Sequence, residues 1–330
     1  MAGSIEPDGA PVNFQLLGPF RAMHGSVEFE LGGARERRLL IALLRSAGHW
    51  ISREELVGWV WDHPPTKPLR ALDEVASDLR AALAASGLDG RFKSKAGLCR
   101  IEVRPDTVDA HRLRYLAARA DEVRGVEHRD LLRAALGLRR GEPLEDVTGD
   151  RIDTYRRELA GRYRRVEIAF NQLEVRSGRA GGRLIELERL HEDEPADVLT
   201  AGLFICALHL VGNPTRAHAV LRAHRDQLVE VGLEVPRQIA DLQQALYTGE
   251  TDLGVAGAYF LGGPLRPAED DSEPAAEVES GGADETTDTA ARPLEPGPRV
   301  MMTTNSGVVN SVESIRADYV NLGIDRRGIG

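Results

Sequence analysis

RERRLLIALLRSAGHWISREELVGWVW, residues 35–61, is the stretch that decides the fold. Its first half sets Leu39, Leu40, Leu43 and Leu44 on one helical face, predicting a helix over 35–46 that Gly48 ends. Ser52-Arg53-Glu54-Glu55 is a capping box, in which the serine hydroxyl can accept an orphan amide and Glu55 can reach back. The short helix it opens runs to about Val60, with Leu56, Trp59 and Val60 inward, and Asp62-His63-Pro64-Pro65 breaks it.

Downstream, Leu72, Ala76, Leu79 and Leu83 recur at steps of four, three and four, predicting a third helix over 69–85 closed by Gly87. Residues 91–95 (RFKSK), a turn at Ala96-Gly97, and residues 99–103 read as a basic hairpin. Upstream, residues 12–18 (VNFQLLG) and 27–31 (VEFEL) alternate as short strands, with a turn around His24-Gly25. Three helices followed by a basic hairpin make an α+β winged helix-turn-helix domain over 12–105. In such a domain the third helix enters the major groove and the hairpin flanks it.

The candidate DNA contacts follow from that placement. Lys67, Arg70, Ser77 and Arg80 lie on or before the third helix, and Lys93 and Lys95 sit on the hairpin. Arg35, Arg37 and Arg38 begin the first helix, where main-chain amides also favour phosphate. The third helix carries Asp73, Glu74 and Asp78 as well. A carboxylate repels phosphate unless it accepts a hydrogen bond from a base edge, as Asp or Glu can from cytosine N4, so Asp73 and Glu74 count as candidate base contacts. The residues alone fit a DNA-docking helix and a charged helix on an ordinary α+β domain about equally well.

Charge is unevenly placed along the 330 residues. The net charge is −10, which taken whole argues against a nucleic-acid partner. Residues 13–105 nevertheless hold fourteen basic and eleven acidic side chains, whereas 251–300 hold three and eleven. The latter stretch, rich in Glu, Asp, Ala, Gly and Pro, lacks the apolar surface to offset its ordering entropy and is expected to be a disordered linker. Residues 1–11 are expected to be disordered too. Residues 301–330 are more apolar, with Val308, Val309, Val312, Ile315 and Tyr319, and their role is open.

Between these parts, residues 108–141, 151–178, 183–191, 196–211, 215–231 and 236–247 each carry helical apolar spacing. The last pairs have the length of tetratricopeptide-like hairpins, predicting an all-α domain over 106–250. Enzyme signatures, among them GxxxxGK[ST], HExxH and GxSxG, are absent from the sequence. Cys99 and Cys206 lie far apart without metal-ligand spacing, so no cofactor or metal is expected and a reducing cytoplasm suits the chain. No apolar run reaches the roughly 18 residues that span a bilayer, and MAGSIEPDGAPV lacks the apolar core of a secretory signal.

LGPF at residues 17–20, the 35–61 stretch, PPTKPLRALDEVASDLRAALAA and GLCRIEV resemble the Streptomyces antibiotic regulatory protein family, whose N-terminal domain is an OmpR-like winged helix. VDAHRLRYL, RRGEPLEDV, RRELAGRYRRVEIAFNQLE and the stretch from DVLTAGLFICALHL to Leu246 resemble that family's bacterial transcriptional activation domain. The resemblance implies a pathway-specific transcriptional activator of a secondary-metabolite gene cluster. It implies a homodimer on promoter direct repeats of double-stranded DNA, recruiting RNA polymerase holoenzyme through its sigma subunit, in the cytoplasm at the nucleoid. The family usually has neutral or basic residues at Asp73, Glu74 and Asp78, and a Tyr where Leu98 stands. The competing reading is a helical adaptor whose winged helix has lost sequence-specific DNA binding.

Overall fold

A computed structural model describes residues 12–249 and 253–265. The expected N-terminal arm, residues 266–300 of the acidic linker and the apolar segment 301–330 lie outside the described residues.

The chain opens with three antiparallel strands in the order β1-β2-β3: β1 (Val12–Gln15), β2 (Arg21–His24) and β3 (Val27–Phe29). Val12 faces His24 across the first pair, and His24 faces Val27 across the turn. The sequence reading found two strands here. β2 escaped it because a four-residue strand with one buried side chain, Ala22, has no visible alternation.

α1 (Ala34–Arg45), β4 (Ile51–Ser52), α2 (Arg53–Val60), α3 (Pro68–Ala85), β5 (Phe92–Lys95) and β6 (Leu98–Ile101) follow. α1 buries every residue from Leu39 to Leu44. Ser52 caps α2, its Oγ accepting the Glu55 amide at 3.1 Å. Pro68 starts α3, where its missing N–H costs nothing. Leu72, Val75, Ala76, Leu79 and Leu83 are the buried line of α3. The hairpin turns on Ala96 and Gly97, with φ of 50° and 77°. Positive φ at both central residues makes a type I′ turn, whose twist matches that of the strands. β4 pairs along the other edge of β6, with Ile51 opposite Cys99, so the second sheet runs β4-β6-β5. Three helices and a wing are in place.

The rest is helical: α4 (Asp109–Glu122), α5 (Gly125–Leu136), α6 (Asp150–Arg176), α7 (Leu184–Asp193), α8 (Val198–Leu210), α9 (Pro214–Glu230), α10 (Arg237–Thr248) and α11 (Gly254–Phe260). Two expectations change. The helix expected over 108–141 breaks at Val123 and Arg124, which are extended, before Gly125 at φ 68°. Both halves bury apolar residues at helical spacing, so the spacing alone did not expose the break. Residues 253–265, assigned to the acidic linker, instead close the helical body. Leu253, Phe260 and Leu261 are buried, Gln172 Nε2 donates to the Phe260 carbonyl at 2.8 Å, and Arg176 donates to that of Gly262 at 2.7 Å. Gly202 inside α8 is there for Phe260: a Cβ would stand 2.1 Å from the ring.

The boundary expected at 105/106 is not a gap in packing. One apolar core runs from Phe14 through Leu39–Leu44 and Trp59 to Val108, Leu113, Ile152, Tyr155 and Leu173. Phe14 bridges Val108 in parallel, and Trp59 meets Tyr155 edge-on at 6.0 Å. Carboxylates lace the same seam. Asp109, buried, accepts the amides of Leu16 and Leu17 at 2.8 and 3.0 Å and pairs with Arg140 at 2.8 Å. Asp146 accepts the Phe20 amide at 2.7 Å and pairs with Arg37. Asp62 accepts the Asp150 amide at 2.9 Å and pairs with Arg38 at 3.1 Å.

Candidate nucleic-acid interface

Opposite its buried line, α3 turns Arg70, Glu74, Ser77 and Ala81 outward, all exposed. Asp73 and Arg80 lie on the flank that meets the second sheet. The Arg80 guanidinium sits 4.5 Å from the centroid of the Phe92 ring at the base of the hairpin, tying helix to wing. Lys67 is the exposed N-cap of α3, and Lys95 is exposed beside the hairpin turn. Lys93 stands 3.9 Å from Glu102. Arg35 rests 5.9 Å from the Trp61 ring, next to the loop that leads into α3.

The three carboxylates of the helix are in different situations. Asp73 is paired with Arg53, from the first turn of α2. Glu74 is 3.8 Å from Arg70, one turn back, and both side chains are more than two-thirds exposed. Asp78 has no ion-pair partner among the described residues. Coulombic pairing therefore screens Asp73 most, Glu74 weakly and Asp78 not at all.

One expected phosphate contact belongs elsewhere. Arg38 donates to the Val60 carbonyl and to Asp62, both at 3.1 Å, and its side chain is 14 % exposed. It fills the space over Gly149, where a Cβ would come within 2.8 Å of the guanidinium. Arg38 lies on α1 as expected, but its guanidinium holds the loop after α2 to the start of α6. Arg37, spent on Asp146 and the Phe20 carbonyl, is a strut of the same kind.

Two contacts leave no mark in the sequence. Arg53 looked like an ordinary first-turn residue of α2, because its partner lies twenty positions on. Trp50, 38 % exposed, carries the Arg100 guanidinium 4.5 Å from its ring centroid, beside the wing. Trp59 is buried, as its expected inward place on α2 requires, and Trp61 is buried beside it.

The seam behind this face has perturbed carboxylates. The Asp150 amide, then Arg38, hold Asp62 below the usual carboxylate range. Burial alone would raise Asp146, but the Phe20 amide and Arg37 outweigh it and bring it down. At Asp109 burial wins and pushes the carboxyl up, against the amides of Leu16 and Leu17 and against Arg140.

Comparison with known proteins places this geometry. The model of the transcriptional regulatory protein C-terminal domain matches residues 29–96, and that of the bacterial transcriptional activator domain matches 108–247. The regulatory protein AfsR of Streptomyces griseus is 29 % identical over 256 residues, covering 76 % of this chain and 26 % of AfsR. The chain thus spans about a quarter of that relative's length. The regulatory protein DnrI of Streptomyces peucetius is 27 % identical over 71 % of this chain and 92 % of DnrI. Among solved structures, Mycobacterium tuberculosis EmbR in complex with a low-affinity phosphopeptide superposes with a TM-score of 0.69 at 20 % identity. That match covers 76 % of this chain and 69 % of EmbR, and shows a shared fold.

A winged helix fused through one core to an all-helical activator domain is the build of a transcriptional regulator, not of an enzyme. The two family models together take in more than half of the chain. The chain belongs to the Streptomyces antibiotic regulatory protein family.

Proposed function

We propose that this chain is a DNA-binding transcriptional activator, specific for a secondary-metabolite gene cluster. It docks α3 in the major groove of promoter direct repeats with the β5–β6 wing alongside. The observation that carries the reading is the joining of helix to wing: Arg80 on Phe92 fixes the hairpin against the flank of α3, and Lys93 and Lys95 extend the basic edge. Lys67, Arg70, Ser77 and Arg80 are the contacts from the helix side, Glu74 the candidate for a base edge, Asp73 its neighbour on the flank, and Arg35 an edge contact. The helical body, rigidly joined to the winged helix, is suited to carry self-association of two copies on tandem sites. It also offers surface for RNA polymerase and its sigma subunit. Such a protein works in the cytoplasm, on the nucleoid. No helix among the described residues is long and apolar enough to cross a membrane.

The exposed carboxylates Glu74 and Asp78 favour a second reading, in which the winged helix has lost DNA and the helical body acts as an adaptor. A salt titration separates the two. The full chain is titrated with duplexes from promoters of the neighbouring gene cluster at about 50 mM salt and upward. The activator reading expects tight binding that falls linearly in log–log form, with a slope counting the phosphates neutralised. Absence of binding at the lowest salt removes it in favour of the adaptor.

A further inference from the structure

Arg53 is where the three parts of the candidate interface meet. It is the first residue of α2, whose cap is the Ser52 hydroxyl. Its main-chain N–H donates to the Gly97 carbonyl in the turn of the wing, at 3.1 Å. Its guanidinium crosses to α3, where Nη2 donates to the Leu69 carbonyl at 2.8 Å and to Asp73. One residue thus links the tip of the wing, the start of α2 and the first turns of α3, from both its backbone and its side chain.

Chemistry makes the link directional. A guanidinium presents five donors in a fixed plane, and among the described residues the bonds above occupy only Nη2. A carboxylate that grips one edge of this fork fixes the orientation of the other. The Arg53 side chain is 25 % exposed, so it is held between the elements yet still open to solvent. Helix N-termini also carry partial positive charge, which adds to the pull of Arg53 on an anion.

Resting on the DNA-binding reading, we propose that Arg53 is a phosphate contact of the interface and that Asp73 is its positioning residue. Asp73 aims the guanidinium at the backbone and locks the wing to α3. The acid on this flank of the recognition helix therefore strengthens DNA binding, although a bare carboxylate facing phosphate weakens it.

The sign of one substitution tests this. Asp73→Asn is nearly isosteric and removes only the charge. Were Asp73 an uncompensated acid facing DNA, the change would tighten binding. The positioning role expects it to weaken binding of the full chain to a mixed-sequence duplex of about thirty base pairs by roughly three- to tenfold at low salt. Arg53→Ala is expected to weaken binding further and to lower the salt slope by about one phosphate. The double variant should then bind no worse than Arg53→Ala alone, because Asp73 acts through Arg53. Arg53→Lys keeps the charge but not the fork, so it should recover the salt slope and only part of the affinity. Circular dichroism with matched melting checks that each variant is folded. Tighter binding by Asp73→Asn, or additive losses in the double variant, overturns the assignment alone. A wild-type chain that binds no duplex overturns the DNA-binding reading and this assignment with it.

Discussion

Six aspartates and glutamates sit at two surfaces of this protein and live in opposite ways. At the seam between the winged helix and the helical body, Asp62, Asp109 and Asp146 each accept at least one main-chain amide and each hold an arginine. On α3, Asp73, Glu74 and Asp78 accept no main-chain amide among the described residues, and their ion pairs are to the partly buried Arg53, to the exposed Arg70, or to none. A carboxylate that holds both an amide and a guanidinium has little freedom, and at the buried Asp109 its removal strands donors that water cannot readily reach. One on an open helix face can be exchanged at almost no cost in folding. The seam sets how the winged helix is carried. The face is free to vary without disturbing the fold.

The seam should yield the largest effect. Asp109→Ala leaves the Leu16 and Leu17 amides and the Arg140 guanidinium without their acceptor, in a site where Asp109 is 5 % exposed. The expected loss of stability is about 3–5 kcal/mol in urea denaturation of the full chain, the range for breaking a buried charged network. It should come as one cooperative transition, since the core from Phe14 to Leu173 is continuous. Two separated transitions, with only one moved by the substitution, would break the comparison by showing two independently folded halves.

The sequence made the exposed face more legible than the seam, for a physical reason. Helical periodicity over α1 and α3 is local, and so is the Ser52 cap, so the three helices and the Ala96-Gly97 turn could be read from their own residues. The seam is built from partners such as Leu16 with Asp109 and Asp62 with Asp150, which lie 93 and 88 positions apart and leave no local trace. The pairing of Arg38 is hidden for the same reason: its spacing puts it on α1, where it lies, but Asp62 and Gly149 decide where its guanidinium rests. Arg53 was missed because its role comes from α3 and the wing, not from α2. The short helix α11 was hidden by acidic neighbours, because composition averages over a window wider than Leu253, Phe260 and Leu261.

A smaller effect comes from His111, which joins α4 to α1 through the Leu44 carbonyl, 2.8 Å from its Nε2. Burial holds this histidine below the ordinary imidazole range, and burial lowers His191 and His224 as well. The folded protein therefore binds fewer protons than the unfolded chain once the pH drops below about 6.5, the value for a free imidazole. Stability is full above that pH and is lost as the pH falls through the folded-state values, so the melting temperature should drop between about pH 7 and pH 5. His111→Gln should reduce this slope without abolishing it, since His191 and His224 remain. A pH-independent melting temperature across that window would show that burial leaves these histidines unshifted and would remove the predicted coupling.

The smallest effect on folding, and the most informative for recognition, belongs to Asp78. Its carboxylate has neither the arginine that Asp73 has nor the i,i+4 partner that Glu74 has, so Asp78→Asn should change stability by less than about 0.5 kcal/mol. If Asp78 only faces phosphate, its removal should tighten binding to any duplex about two- to threefold at low salt, and the gain should fade as salt screens it. If it accepts from cytosine N4, the variant should bind worse, and only where a cytosine lies under that turn of α3. Comparing wild type and Asp78→Asn on duplexes that differ at single C·G pairs, at low and moderate salt, decides between these roles. A salt-dependent gain shared by all sequences makes Asp78 a brake on affinity. A sequence-dependent loss that persists in salt makes it part of the code. In either case the carboxylates of α3 act on DNA binding and those of the seam on folding, and only a large stability loss in Asp78→Asn would erase that division.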